Sequence, residues 1–205
     1  MSVKAILFDA DGVVQSTPAG WKAQLGAQLD GADVDAILIE LAEAETAALD
    51  GSIGFPDTAA RVLAHWQREH CLEVVLSSWQ HVEADPIVLS AVARLRSEGF
   101  GCFLATNQTF FRTEHMRQSM GYGDVFDGQF YSCELGVAKP DRRFFTTILK
   151  RLAVSAGQVL FLDDSAANVG AAAELGIRSA LYPRNQSQLL ASILAAEGMP
   201  LDQGR

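Results

Sequence analysis

The sequence predicts an α/β fold: a parallel sheet with helices on both faces, interrupted near its start by an all-helical insert. Three observations predict it. Five short apolar runs alternate with stretches of helical periodicity. The runs are nearly continuous rather than alternating, as in strands buried on both faces. The alternation lapses only between about Ser16 and Asp85, where Ala, Leu and Glu dominate and no strand is legible.

The elements follow in order. "VKAILFD" reads as a buried strand that runs into Asp9, with Asp11 and Gly12 just beyond. In the insert, "DVDAILIELAEAETAALDG" is helical throughout, and "PDTAARVLAHWQREH" opens with Pro56 and Asp57, a favourable first turn. "IVLSAVARLRSEGF" carries Val88, Val92 and Leu95 on a helical period and ends at Gly99. "GCFLATN" is the second strand, and "TEHMRQSMG" is a helix opened by Thr113 and closed by Gly121. "FDGQFYSCE" is the third strand, and "DRRFFTTILKRLAV" after Pro140 is a helix. "QVLFLDD" is a fourth strand that again ends on paired acids. "AANVGAAAELG", "IRSALY" and "NQSQLLASILAAEG" complete the chain as helix, strand and helix.

The predicted division is a core of residues 1–15 and 87–205 and a helical cap of residues 16–86. Its hinges fall near Ser16-Thr17-Pro18 and Ala84-Asp85-Pro86. A structureless loop of that length would be improbable.

Composition narrows the class. A chain of 205 residues, 49% hydrophobic and 20% charged, can bury a sizeable core. No apolar run approaches the roughly 20 residues of a membrane span, and the N-terminus does not read as a signal peptide. Cys71, Cys102 and Cys133 are far apart and form no C-x-x-C pair, which suits a reducing cytoplasm. Between Trp21 and Asp85 there are 12 acids and 3 bases, so that segment carries the whole net charge of −9. A nucleic-acid surface there is disfavoured, because phosphate backbones need positive charge. Neither nucleic acid nor membrane is expected as a partner, and the sequence leaves the oligomeric state open.

The chemistry should lie beyond the carboxyl ends of the strands. There the fold gathers Asp9 and Asp11, Thr106 and Asn107, Lys139, and Asp163 and Asp164. Carboxylates facing one another require a cation, and oxygen-only donors favour a hard one, Mg²⁺. A lysine and a hydroxyl alongside suit a phosphoryl group. Gly12 permits a sharp turn after Asp11. Singly, each cluster has a plainer reading: a D-G turn, a helix cap, a surface lysine.

In this order the motifs resemble those of the haloacid dehalogenase-like superfamily: D-x-D-G-V from Asp9 to Val13, Thr106-Asn107 after a strand, "GVAKPD" around Lys139, and "FLDDSAANVGAA". "FYSCELGVAKPDRRFF" is especially similar to the subgroup whose small helical cap follows the first motif. The resemblance implies a Rossmann-like core and, residue by residue, a set of roles. Asp9 matches the nucleophile that becomes an aspartyl-phosphate and also meets the metal. Asp11 matches the general acid/base, whose backbone carbonyl faces the Mg²⁺. Thr106, with Asn107 beside it, matches the phosphoryl-binding position, and Lys139 the cation that neutralises the phosphoryl charge. Asp164 matches the main acidic metal ligand. Asp163 joins it or acts through water, and Asn168 matches a polar position that supports the metal or Lys139. To start as an acid at neutral pH, Asp11 needs a raised pKa. The dehalogenase branch lacks the second acid, so Asp11 favours phosphoryl chemistry over carbon–halogen cleavage. The expected activity is Mg²⁺-dependent hydrolysis of a small-molecule phosphate monoester, with sugar phosphates as candidates. The alternatives are a phosphomutase of the same superfamily and a non-catalytic binding member.

Gln15 and Gln108 are placed near the substrate by their positions after the first and second motifs. Trp21, Trp66 and Trp79 read as packing residues, although Trp21 lies beside the first hinge.

Overall fold

The computed structural model describes residues 2–29, 31, 33–184 and 186–199. Residues 1 and 200–205, assigned above to the core, lie outside the described residues, as does Asp30, one of the acids counted in the insert. Strand β1 (Ala5–Phe8) is followed by a two-residue strand β2 (Gln15–Ser16). Helices α1 (Trp21–Leu29), α2 (Val34–Ala47), α3 (Phe55–His65) and α4 (Leu72–Gln80) form the insert. Strand β3 (Glu83–Ala84) leads into α5 (Pro86–Ser97), β4 (Gly101–Thr106), α6 (Phe110–Gln118) and the short α7 (Tyr122–Val125). Then come β5 (Gly128–Tyr131), a single turn α8 (Ser132–Leu135), α9 (Arg142–Leu152), β6 (Val159–Asp163), α10 (Ala166–Ala173), β7 (Arg178–Leu181) and α11 (Leu190–Ala196).

The main sheet runs β5-β4-β1-β6-β7, with every pair parallel. Its centre, β1, is buried along its whole length, and alternate side chains serve opposite faces. Ile6 and Phe8 join a cluster with Val88, Val92 and Leu95 of α5 and Leu190 and Leu194 of α11. Ala5 and Leu7 join another with Phe144, Phe145 and Ile148 of α9 and Ala172 of α10. This is the expected helix–sheet–helix sandwich.

The insert is helical, as expected, and has an apolar cluster of its own. Leu25, Leu29, Ile37, Leu41, Phe55, Leu63, Val75 and Trp79 pack together, and Phe111 of α6 reaches in from the sheet side. Its two ends are more regular than the sequence suggests. β2 and β3 pair antiparallel, Gln15 with Ala84 and Ser16 with Glu83, where no strand is legible in the sequence. Two-residue strands are too short to show a period.

Two other elements differ from expectation. Helix α6 starts at Phe110 with Thr109 as its N-cap, whose hydroxyl accepts from the Arg112 amide; Thr113 lies inside the helix, its hydroxyl donating to the Phe110 carbonyl at 2.9 Å. The third strand stops at Tyr131, because Ser132 exchanges hydrogen bonds with the Gln108 backbone and the chain turns into α8. Among the described residues no helix is long and apolar enough to cross a membrane.

Candidate active site

The carboxyl ends of β1, β4 and β6 and the loop after α8 meet at one point. Asp9 follows β1 directly, its amide held by the Leu162 carbonyl of β6 at 2.9 Å. Its Oδ1 accepts from the Ala10 amide at 2.8 Å and lies 2.9 Å from Lys139 Nζ. Lys139 is buried and donates as well to Asp163 Oδ2 at 2.6 Å and to the Ala105 carbonyl at 2.9 Å. Its ammonium sits 5.2 Å from the centre of the Phe161 ring. Burial would lower the lysine pKa, but Asp9 and Asp163 outweigh it, so the net shift is upward and the lysine stays charged.

Asp163 has no exposed surface. Its two oxygens take the Ser165 amide (2.7 Å), the Asn168 side-chain amide (3.1 and 3.0 Å) and Lys139. Asn168 thus supports Asp163. Asp164 turns outward and pairs with Arg184, whose Nε donates at 2.7 Å. Oxygens of Asp9, Asp163 and Asp164 all lie within 4.8 Å of one another, a group able to hold a metal ion. Burial raises the Asp9 pKa to about 6; Lys139 opposes the rise and the Asp163 charge adds to it. A hydrogen bond with Thr106, itself buried, works in the lowering direction.

Gly12 makes the close approach possible. Its φ is +88°, a backbone conformation L side chains rarely adopt, and a Cβ there would lie 2.5 Å from Asp164 Oδ2.

Two side chains beside this group are held elsewhere, and the raised pKa expected for Asp11 is not found. The Asp11 carboxylate is absent from the metal-binding group. It turns the other way and is gripped by Arg112 through two bonds of 2.9 and 3.1 Å, by Gln15 at 3.0 Å and by Gln108 at 2.6 Å. Its pKa is therefore not raised. Burial pushes it up, but the Arg112 guanidinium and those hydrogen bonds together hold it below the ordinary carboxylate value. The Asn107 side chain is likewise committed elsewhere than to an anion. It clamps the Lys139 backbone from both sides, donating to its carbonyl at 2.9 Å and accepting from its amide at 2.8 Å.

Arg112, Glu45 and Arg184 are site residues that the sequence reading missed. Arg112 lies in the first turn of α6 and is buried; it reaches Glu45 of α2 at 3.7 Å as well as Asp11. It therefore links the insert to Asp11, two residues beyond Asp9. Burial raises the Glu45 pKa on balance, against the lowering influence of Arg112 and of a hydrogen bond from Trp79. The available signal was position: Arg112 sits one turn into the helix after the second motif, and Arg184 just beyond the last strand.

A cavity of about 720 Å³ opens between the sheet edge and the insert. Asp11, Gly12, Arg112 and Arg184 line it on the sheet side, and residues of α1, α2 and α4 line the other.

Comparison with known proteins places this arrangement in a class. The haloacid dehalogenase-like hydrolase family matches residues 3–176, and the chain belongs to that family. "Phosphatase MT3486" of Mycobacterium tuberculosis is 27% identical over 204 residues, 90% of this chain and 89% of that protein. "Sesquiterpene phosphatase astK" of Aspergillus oryzae is 32% identical over 93 residues, 45% of this chain and 47% of that protein. The match to mouse "Acyl-CoA dehydrogenase family member 10" covers 63% of this chain and 12% of that protein, at 29% identity. The chain thus spans less than half the length of these last two relatives. Among solved structures, a family enzyme from Bacteroides thetaiotaomicron in complex with magnesium and inorganic phosphate superposes with a TM-score of 0.77 at 18% identity, covering 90% of this chain and 96% of that one. A dehalogenase superposes with a TM-score of 0.71 at 19% identity, covering 90% and 87%. These two likenesses show the shared fold.

Proposed function

We propose that this hydrolase is a Mg²⁺-dependent phosphatase that cleaves a small-molecule phosphate monoester through an aspartyl-phosphate on Asp9. The observation that carries this reading is the Asp9–Asp163–Asp164 group, two of its acids buried and paired with Lys139. Lys139 and Arg184 together do not balance these three acids once Asp9 ionises, and the donors are all oxygen, so the group fits a hard divalent cation. Asp9 and Asp164 would hold it, with the Asp11 carbonyl adjoining; Asp163 is already saturated with donors. Bound there, Mg²⁺ supplies positive charge that favours ionised Asp9 and screens an incoming phosphate.

The remaining work falls to the chain. An Asp9 oxygen attacks phosphorus and the ester P–O bond breaks. Lys139 and the Thr106 hydroxyl share the phosphoryl charge. Asp11 donates its proton to the departing oxygen, then takes one from the water that attacks the acyl-phosphate, and Asp9 leaves as carboxylate. In the geometry described, Asp11 is held as a carboxylate by Arg112, so its acid role requires that grip to loosen when substrate enters. Residues 16–86 act as the cap over this site, turning on the β2–β3 ribbon.

The relatives named as phosphatases support phosphoryl chemistry, as does the second acid, Asp11. The test is turnover of an aryl phosphate with and without Mg²⁺. Mg²⁺-dependent release of free phosphate is expected, and full activity after exhaustive chelation would overturn the reading.

A further inference from the structure

The insert presents an apolar wall to the cavity, and the wall is built from three separate helices. Helix α2 has two apolar faces. Ile37 and Leu41 point into the cluster of the insert. Leu38, Ile39 and Ala42 line the cavity, and Glu45, one turn further along the same stripe, meets Arg112. Ile39 is 60% exposed, more than any other large apolar side chain noted among the described residues. Trp21 of α1 and Trp79 of α4 close the same wall edge to face, with ring centres 5.5 Å apart.

The polar groups nearest that wall already have partners. Arg112 bridges Asp11 and Glu45, and Trp79 bonds to Glu45. Ser16, Thr17, Lys22, Asp35 and Ser78 also line the cavity, but the side chains of the wall itself offer a polyol few donors or acceptors in place of the water it would lose there, and unreplaced hydrogen bonds disfavour burial. A hydrocarbon skeleton loses nothing and gains apolar contact. The wall also faces Asp11 and Gly12 across one continuous cavity, so whatever occupies it is joined to the group that enters the phosphoryl site.

We infer that the organic part of the substrate is apolar: an alkyl, isoprenoid-like or aromatic phosphate monoester seated on Trp21, Leu38, Ile39, Ala42 and Trp79, in place of the sugar phosphate that the sequence allows. This rests on the phosphatase reading for the position of the phosphate, and its test separates the two.

The probe is a series of n-alkylphosphonates from methyl to decyl, whose C–P bond resists hydrolysis, titrated calorimetrically into the full chain with Mg²⁺. Affinity should rise about three- to fourfold per added methylene until the wall is covered. The heat-capacity change should grow more negative along the series. Ile39→Asp, a surface change on α2, should flatten the series; circular dichroism and thermal melting report that the variant is folded. Should that variant fail to fold, Ala42→Ser carries the same test.

A flat wild-type series, or tighter binding of glucose 6-phosphate than of hexylphosphonate, would overturn the inference whether or not aryl phosphate is turned over. A graded series with no phosphate released from an aryl phosphate would sustain it and overturn the hydrolysis. A second copy of the chain covering the wall would appear as concentration-dependent dimerisation abolished by Ile39→Asp, together with a flat series, and would also overturn it.

Discussion

Asp9 and Asp11 are two residues apart, yet their surroundings push their pKa values in opposite directions. Asp9 is raised to about 6, first by burial and then by the Asp163 charge, against the pull of Lys139. Asp11, partly exposed to the cavity, is lowered instead, because Arg112, Gln15 and Gln108 all donate to it. The two acids should therefore fail differently. Asp9→Asn is expected to abolish turnover, because an amide cannot form the covalent phosphate ester. Asp11→Asn loses proton transfer, typically about 10²–10⁴-fold. With an aryl phosphate, whose leaving group needs little protonation, it should accumulate phosphorylated protein. Intact mass after rapid quench checks both, and an equal adduct in Asp9→Asn would mean a different nucleophile. Arg112→Gln removes the largest influence that lowers the Asp11 pKa and leaves burial, which raises it. The alkaline limb of kcat/KM against pH, where Asp11 loses its proton, should then move to higher pH for an alkyl phosphate and stay in place for an aryl phosphate. A shift to lower pH would show that Arg112 does not govern that proton.

At the scale of single elements, the hinge end of the insert offers a clean measurement. Asp85 caps α5 by accepting from the Ile87 and Val88 amides, while its own amide is held by the Val14 carbonyl beside β2. Asp85→Ala should cost about 1 kcal/mol, read as a lower denaturation midpoint at unchanged slope. The strands that bear the site were legible for a simple reason. AILF and VLFLD are unbroken apolar runs that stop abruptly at acids, a contrast that survives without any knowledge of tertiary contacts. The cap of α6 was misplaced by one turn because Thr109 and Thr113 are equally good hydroxyls, and only the fold shows which has a free amide to bind. Arg112 was illegible because an arginine on a short helix ordinarily extends into water. Its partners, Asp11 and Glu45, are separated from it by 101 and 67 positions, and no local pattern joins them. The apolar stripe on α2 was partly legible as helix, but Ile39 and Leu41 look alike in sequence although one lines the cavity and the other is buried.

The whole molecule couples the insert, the sheet and the proposed metal. The loop after α2 rests on the sheet side at Gly51, whose φ is +76° and whose added Cβ would lie 2.3 Å from the Cys133 carbonyl. Gly51→Ala should therefore lift that loop, lowering stability by about 1–3 kcal/mol and raising KM for any substrate that fills the cavity. Thermal melting and steady-state kinetics check the pair of effects. Metal binding should be equally global. The folded-state pKa of Asp9 lies above its ordinary value of 3.8, so between the two values the folded protein holds a proton that the unfolded chain has lost. That contribution is present at low pH and is lost as pH rises through about 6, where Asp9 becomes a buried anion that a cation can satisfy. At pH 5 the cation must first expel the proton. Mg²⁺ at about 100 times its Kd should raise Tm by roughly 5–10 °C at pH 7.5, and by clearly less at pH 5. Equal shifts at the two pH values would remove Asp9 from the metal site.

The position of β1 at the centre of the sheet has a consequence for biosynthesis. Ala5 pairs with Gly101 on one side and with Val159 on the other, so this strand leaves the ribosome before either neighbour has been made. At about 5–20 residues per second, its first partner follows by roughly 5–20 s and its second by roughly 8–30 s. During that interval AILF is an unpaired apolar strand, the kind of segment that aggregates or engages a chaperone. A nascent chain arrested before Val159 should remain open to protease around β1, and a chain extended well past β6 should be closed there.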